Sequence, residues 1–335
     1  MRFFHPPGDG KPSGGHVYNR HMIESARRWG FPLDPVPFPP SAPVLARRDR
    51  GDPTLWDSLF LPWLAEHPTV AEGHGILVHY LPHRNPLLEH PLRGDLERQF
   101  RRVARAMRFF LATGLGAAQE LAETYPDKAI FLAEPGVDPC FLAARERPRE
   151  AAGGRPLRIA TVANFLPAKG LLDVLEALAK LWFLDWEWHL VGDENADLHY
   201  SEAFFRRAGA LGIVGQIVRH GVLKSPEVAR LFGGMDLYIQ ASHYESYGMA
   251  LAEAVAAGLP AISTEVGEAE RLLGGRAGRI VETGDTAGLR SALEAMLSDH
   301  GLRESCRERA IRMTPRTWKQ AFSEFSSALR CLAPG

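Results

Sequence analysis

From residue 157 to residue 299 short apolar runs alternate with amphipathic segments, and that alternation most constrains what the chain can fold into. The runs 157–162, 188–191, 217–219, 237–240 and 260–263 have strand length. Between and after them, 170–181, 201–211, 226–232, 246–258 and 286–299 carry apolar residues at helical spacing. Regular strand–helix alternation makes successive strands parallel, with the crossover helices covering both faces. The expected product is α/β, a doubly wound parallel sheet.

The first half alternates in the same way, less cleanly, because it is rich in proline. Strand candidates are 2–5, 75–81, 109–113 and 129–133, and helix candidates are 16–29, 92–108 and 115–124. A Pro/Gly loop is expected over 6–15. The charged Gly/Pro segment 143–156 lacks apolar periodicity and reads as a linker. At 335 residues the chain has room for two domains, placed at 1–150 and 151–315. A last amphipathic helix, 316–331, carries Trp318, Phe322, Phe325 and Leu329 on one face. Two such domains would face each other across a cleft, with ligands at the carboxyl ends of the strands.

Composition removes several function classes. With 39 basic and 40 acidic residues the net charge is −1, unlike that of a strongly basic nucleic-acid binder. Cys140, Cys306 and Cys331 form no C-x-x-C pair, which argues against zinc knuckles and thioredoxin-type chemistry and fits a reducing compartment. Residues 1–7 are too short and too broken by proline for a signal peptide, and no apolar run is long enough for a membrane span. A cytoplasmic protein is expected, at most peripheral to the inner face of a membrane. The arginine-laden segment 92–108 would supply such a face, or is simply a solvated helix.

Residues able to carry chemistry gather after the strands. Glu245 lies in the loop after run 237–240, Ser246–Met249 would open the next helix, and Glu253 lies one to two turns in. A helix N-terminus offers unpaired N–H groups to an anion, Gly248 admits close approach, and two carboxylates suit a ligand rich in hydroxyls. Acidic residues near a helix start are also favoured by the dipole alone. Lys169-Gly170 follows run 157–162, where a lysine serves as a point-charge phosphate ligand or as a solvated surface residue. Gly14-Gly15 precedes the helix expected at His16. His79 and His83 flank the end of run 75–81, and Pro82 between them argues against a zinc helix. There is no G-x-S-x-G elbow, no D-x-D pair and no H-E-x-x-H.

Taken together and in order, these segments resemble the retaining glycosyltransferases of family 4, which have the GT-B fold of two Rossmann-like domains. The resemblance is strongest from 157 to 293: LRIATVANFLPAKGLLDVLEAL, ASHYESYGMALAEAVAAGLPAISTEVG with its E-x7-E spacing from Glu245 to Glu253, and GRIVETGDTAGL. In the first half SGGHVYNRHMIE, LVHYLPHRNP and EPGVDPCF resemble family segments less closely. The resemblance implies that Glu253 binds the donor's ribose and Glu245 the hydroxyls of the transferred sugar. Backbone N–H groups of Ser246, Tyr247, Gly248, Met249 and Ala250 would hold sugar and phosphates, and Lys169 the leaving diphosphate. Gly14 and Gly15 would lie against that diphosphate, and Val222 and Leu223 beside the base. His79, with His83 as alternate, would stand near the reacting carbon, and the last helix would cross back to the N-terminal domain. Where the family usually has arginine, this chain has Asn164, so Arg20 is a substitute cation or the diphosphate is held less tightly. Gly267 is followed by Glu268 where the family often has a second glycine.

The implied reaction moves a hexose from a UDP- or GDP-linked donor to an acceptor, with retention, no metal and no cofactor. A small molecule, a glycan and a lipid all remain open as acceptor. The competing readings are a nucleotide-sugar epimerase or phosphorylase on the same fold, and a catalytically weak partner that binds a nucleotide sugar.

Overall fold

The computed structural model describes residues 1–7, 13–37, 54–146 and 154–331. Parts of the expected N-terminal loop (8–12) and linker (147–153) lie outside the described residues. The chain forms two compact units, Met1–Gly136 with Arg316–Gly335, and Val137–Pro315.

The first unit contains β1 (Arg2–His5), α1 (Gly14–Arg28), β2 (Asp34–Pro37), β3 (Thr54–Asp57), α2 (Leu61–Glu66), α3 (Pro68–Ala71), β4 (Gly75–Val78), α4 (His90–Ala106), β5 (Phe109–Ala112), α5 (Leu115–Thr124) and β6 (Ala129–Leu132). The second contains α6 (Pro139–Arg145), β7 (Leu157–Val162), α7 (Leu171–Ala179), β8 (Trp186–Val191), α8 (Leu198–Leu211), β9 (Ile217–Gly221), α9 (Ser225–Phe232), β10 (Leu237–Gln240), α10 (Met249–Ala256), β11 (Ala261–Thr264), α11 (Ala269–Leu273), β12 (Gly278–Val281), α12 (Thr286–Ser298) and α13 (His300–Arg312). The last helix, α14 (Trp318–Arg330), belongs to the first unit.

Each unit has one six-stranded sheet, ordered β2-β1-β3-β4-β5-β6 in the first and β12-β11-β10-β7-β8-β9 in the second. Every ladder is parallel. The expected doubly wound α/β class is therefore present twice. The strand order reverses between β7 and β10 in the second sheet and between β1 and β3 in the first. At such a reversal neighbouring strands send their connections to opposite faces, and a crevice opens at their carboxyl ends.

Local sequence explains the elements. On α7 Leu171, Val174, Leu175 and Leu178 repeat at helical spacing and are all fully buried. They pack with Ile159 and Ile239 from the sheet and Leu289 and Leu293 from α12. The opposite face is closed by Tyr238, Phe232, Leu251 and Phe141. In the first unit Phe4 stacks on Trp56 at 4.2 Å, and Ile76, Val78 and Phe110 complete that core. Thr317 caps α14, whose Phe325 meets Phe3 and whose Trp318 stacks on His21 at 3.9 Å.

Several expectations are corrected. The second unit begins at Val137, ahead of the expected linker, because Phe141 of α6 packs into the second core against Phe232. α1 starts at Gly14, since Ser13 caps it by accepting from the His16 N–H, so Gly14 and Gly15 lie in its first turn. α10 starts at Met249, because Gly248 has a φ of 99° and ends the preceding loop in a left-handed conformation. Ser246 and Tyr247 are therefore loop residues. The strands β2 and β3, bounded by prolines in the sequence, were not anticipated.

Candidate functional site

The loops after β7 and β10 meet at the reversal point of the second sheet. Lys169 ends a short 3-10 turn after β7, and its Nζ lies 2.6 Å from Glu245 Oε1. Ser242 Oγ donates to the same oxygen at 2.9 Å. Both members of the ion pair are partly buried, so the pair is shielded yet reachable. The loops are tied by the His243 N–H, which donates to the Ala168 carbonyl at 2.8 Å, and by His243 Nε2 at 2.6 Å from Asp173. Gly170 allows this closeness: a Cβ there would stand 1.9 Å from the Ala241 carbonyl oxygen.

Past Glu245 the chain enters α10. A helix start leaves N–H groups without intrahelical acceptors. Tyr247 turns its ring into the core, so only its backbone is available to a ligand. Ser246 Oγ is buried without a hydrogen-bond partner among the described residues. Met249 and Ala250 are half-buried at the first turn. Gly267 packs beneath, where a Cβ would come within 2.9 Å of the Tyr247 carbonyl. Glu268 beside it is buried and pairs with Arg271. Glu253 sits in the second turn of α10, partly buried, and no donor meets its carboxylate among the described residues. Burial first, and then the charge of Asp138, push its carboxyl up to about 8.

The other expected donor contacts are distributed unevenly. Asn164 bridges the loops after β7 and β8, its Oδ1 accepting from the Asp193 N–H at 2.9 Å. It thereby joins two loops at the position where the resembled family usually has arginine. Val222 is exposed and lines a cavity of about 530 Å³ at the carboxyl ends of β8 and β9, with Gly192, Asp193, Glu194, Asn195, Arg219 and Gly221. Leu223 packs against the core and lines no part of that cavity. Arg219, which the sequence gave no reason to single out, is held by Glu194 and lies over the Phe205 ring at 4.5 Å.

The first unit carries a separate polar cluster at its own reversal point. His79 follows β4 and is packed edge-on against Tyr18 at 5.5 Å. Its Nε2 lies 3.1 Å from Asp57 Oδ2 and 3.1 Å from Asn19 Oδ1. Asp57 is fully buried at the end of β3. Burial raises its pKa, but the charge and hydrogen bond of His79, the Leu59 N–H and Asn19 outweigh that, and the net direction is down. Gly15 lies against the imidazole. Arg20 is exposed on α1. His83 does not join this cluster: its ring lies tilted against Phe100 and pairs with Glu120 at 3.6 Å, because Pro82 starts a 3-10 turn that carries it away.

Asp57, Ser58 and Asn19 were missed in the sequence. The available signal for Asn19 was a polar residue inside the apolar stripe of α1, beside Tyr18 and Met22. For Asp57 it was an acid closing a short apolar run.

Residues 144–313 match the model of the family described as "Glycosyl transferases group 1". The N-acetyl-alpha-D-glucosaminyl L-malate synthase of Bacillus anthracis is 32% identical over 151 residues, 44% of this chain and 38% of that relative. The chain thus matches less than half of that relative's length. Among solved structures, the sucrose-phosphate synthase of Thermosynechococcus elongatus aligns over 99% of this chain and 98% of its own, with a TM-score of 0.75 and 15% identity. HepE of Anabaena, solved in complex with UDP, aligns over 98% of this chain and 99% of its own, with a TM-score of 0.73 and 14% identity. At such identities the likeness is one of fold, the GT-B fold.

Proposed function

We propose, on the premise that this chain belongs to the group 1 glycosyl transferases, that it transfers a hexose from a nucleoside-diphosphate sugar to an acceptor, with retention and without a metal. The observation that carries this reading is the Lys169–Glu245 pair at the reversal point of the second sheet, next to the α10 start and followed by Glu253. A cation after β7, brought against a helix start that carries two carboxylates after β10, matches a ligand with a diphosphate at one part and hydroxyls at the others.

In the proposed reaction the diphosphate displaces Glu245 from Lys169 and lies at the start of α10. Both stabilise the negative charge that grows on the leaving group as the anomeric C–O bond breaks. Glu245, released, accepts from the sugar hydroxyls, and Glu253 accepts from the ribose. The base takes the cavity at Val222 and Arg219, and the solved complex of HepE with UDP supports a nucleotide as ligand of this fold. The departing phosphate oxygen takes the acceptor's proton, and the acceptor oxygen bonds the same face of the sugar. A uridine or guanosine donor fits this reading, as does a small-molecule, glycan or lipid acceptor.

The test is incubation with UDP-, GDP-, ADP- and dTDP-linked hexoses, with and without a chelator, following nucleoside-diphosphate release and the anomeric proton by NMR. One donor should be consumed in the chelator's presence, with retained configuration, and Glu245→Ala should abolish it. Consumption without transfer, giving an isomerised nucleotide sugar, would instead establish an epimerase.

A further inference from the structure

His79 is held by more groups than packing requires. Its backbone N–H donates to Ser58 Oγ at 3.1 Å, and its ring nitrogen Nε2 faces two acceptors, Asp57 Oδ2 and Asn19 Oδ1. Neither acceptor is free to turn. Asn19 Nδ2 donates to Asp57 Oδ2 at 2.5 Å, which commits the amide's nitrogen and leaves its oxygen for the imidazole. Asp57 Oδ1 accepts from the Leu59 N–H at 2.8 Å, which fixes the carboxylate plane. Both side chains are buried, Asp57 at 0% and Asn19 at 3% exposure.

A neutral imidazole carries one hydrogen, and the bond made by one nitrogen decides the state of the other. Two fixed acceptors at Nε2 demand the hydrogen there. Nδ1 is then a bare acceptor in the neutral ring and a donor in the protonated one. Among the described residues Nδ1 has no partner, and it is not one of the enclosed orphan atoms. The ring rests on the first turn of α1: a Cβ on Gly15 would come within 3.1 Å of His79 Cδ2, tight enough that the ring would have to give by a few tenths of an ångström.

We propose that Asp57 and Asn19 are positioning residues that hold the hydrogen of His79 on Nε2, and so present Nδ1 to an oxygen-bearing ligand, a sugar hydroxyl or a phosphate, beside the first turn of α1. The nature of the ligand rests on the reading above, whereas the state of the ring does not. Asp57→Asn is informative because both carboxylate oxygens face donors. An amide must turn its NH₂ either toward Leu59 N–H or toward Asn19 and His79, and the first conflict is smaller. The variant therefore keeps the ring's orientation and removes the negative charge behind it.

The test is long-range ¹H–¹⁵N NMR of the histidines in the full chain, free of ligand, with the His79 signals identified by their loss in His79→Gln. In its neutral form the ring should show hydrogen on Nε2 and a bare Nδ1. Asp57→Asn should lower kcat at least about tenfold while donor KM stays within about threefold. Asn19→Ala should lower kcat in the same sense and is the second variant if Asp57→Asn does not fold. A ring with hydrogen on Nδ1, a mixture of the two tautomers, or variants with kcat within twofold of the wild type would overturn the proposal. Failure of the wild type to transfer from any nucleotide sugar would remove the functional reading, while the tautomer still decides this one.

Discussion

Lys169 and Glu245 neutralise each other across 2.6 Å. An ion pair at a partly buried position holds each charge in place but also occupies it, so a diphosphate must compete with Glu245 for the ammonium. The two substitutions should then act with opposite sign on nucleotide binding. Lys169→Met removes the cation, and nucleoside-diphosphate affinity should fall about tenfold to a hundredfold in calorimetry. Glu245→Gln frees the cation, and affinity should be unchanged or higher, while sugar transfer falls by at least about a hundredfold. Equal losses of binding in both variants would mean that the pair is only structural.

Glu253 sets a pH dependence. Its carboxyl titrates near 4.5 when exposed and is pushed up to about 8 in the fold, by burial and then by Asp138. A raised carboxyl pKa stabilises the fold in the protonated state. That contribution is complete below about 4.5 and is lost as pH rises through about 8. Glu253→Gln should therefore match the wild type in melting temperature near pH 5 and exceed it near pH 9. If ribose hydroxyls require the ionised carboxylate, nucleotide affinity should rise roughly 25-fold between pH 6.5 and 8.5, with proton release on binding. The Gln variant should lose both the rise and the proton release.

The second unit was legible in the sequence because its strands are apolar runs bounded by glycine, and its chemistry lies within loop–helix segments continuous in the chain. Lys169, Glu245 and Glu253 could be read in order, but their juxtaposition depends on strand order: β7 and β10 are neighbours in the sheet and far apart in sequence. The first unit hid its polar cluster for the same reason more severely. Asn19, Asp57 and His79 come from α1, the end of β3 and the loop after β4, and proline-bounded β2 and β3 carry little periodicity. The start of α10 was misplaced because helical propensity runs through Ser246 and Tyr247, whereas the backbone of Gly248 turns left-handed. The unit boundary was misplaced because charged, Gly/Pro-containing sequence marks exposure, and α6 already packs into the second core ahead of it.

Thr161 should act as a buried relay. Trp188 Nε1 donates to Thr161 Oγ1 at 3.0 Å, and that hydroxyl donates to the Ile239 carbonyl at 2.9 Å, linking β8, β7 and β10. Valine keeps the shape and removes both bonds, leaving a buried indole N–H without an acceptor. The expected loss is about 2 kcal/mol, or roughly 4–8 °C in melting temperature for a unit of this size. Thr161→Ser should recover most of it, and nucleotide affinity at temperatures below the transition should not change.

Gly170 couples stability to the site. Its φ of 62° lies in the left-handed region, and an added Cβ would sit 1.9 Å from the backbone oxygen of Ala241. The left-handed conformation alone costs a non-glycine residue about 1–2 kcal/mol. Gly212 gives the comparison, with a φ of 73° and nothing within 4 Å of its added Cβ. Gly212→Ala should therefore lose only that conformational part. Gly170→Ala must in addition push the Lys169 turn away from the end of β10, for a total loss of at least about 3 kcal/mol. Because the same displacement separates Lys169 from Glu245, any folded Gly170→Ala protein should also bind nucleoside diphosphate more weakly, whereas Gly212→Ala should bind it as the wild type does. Equal melting temperatures for the two variants would show that the β7 and β10 loops do not constrain each other through this glycine.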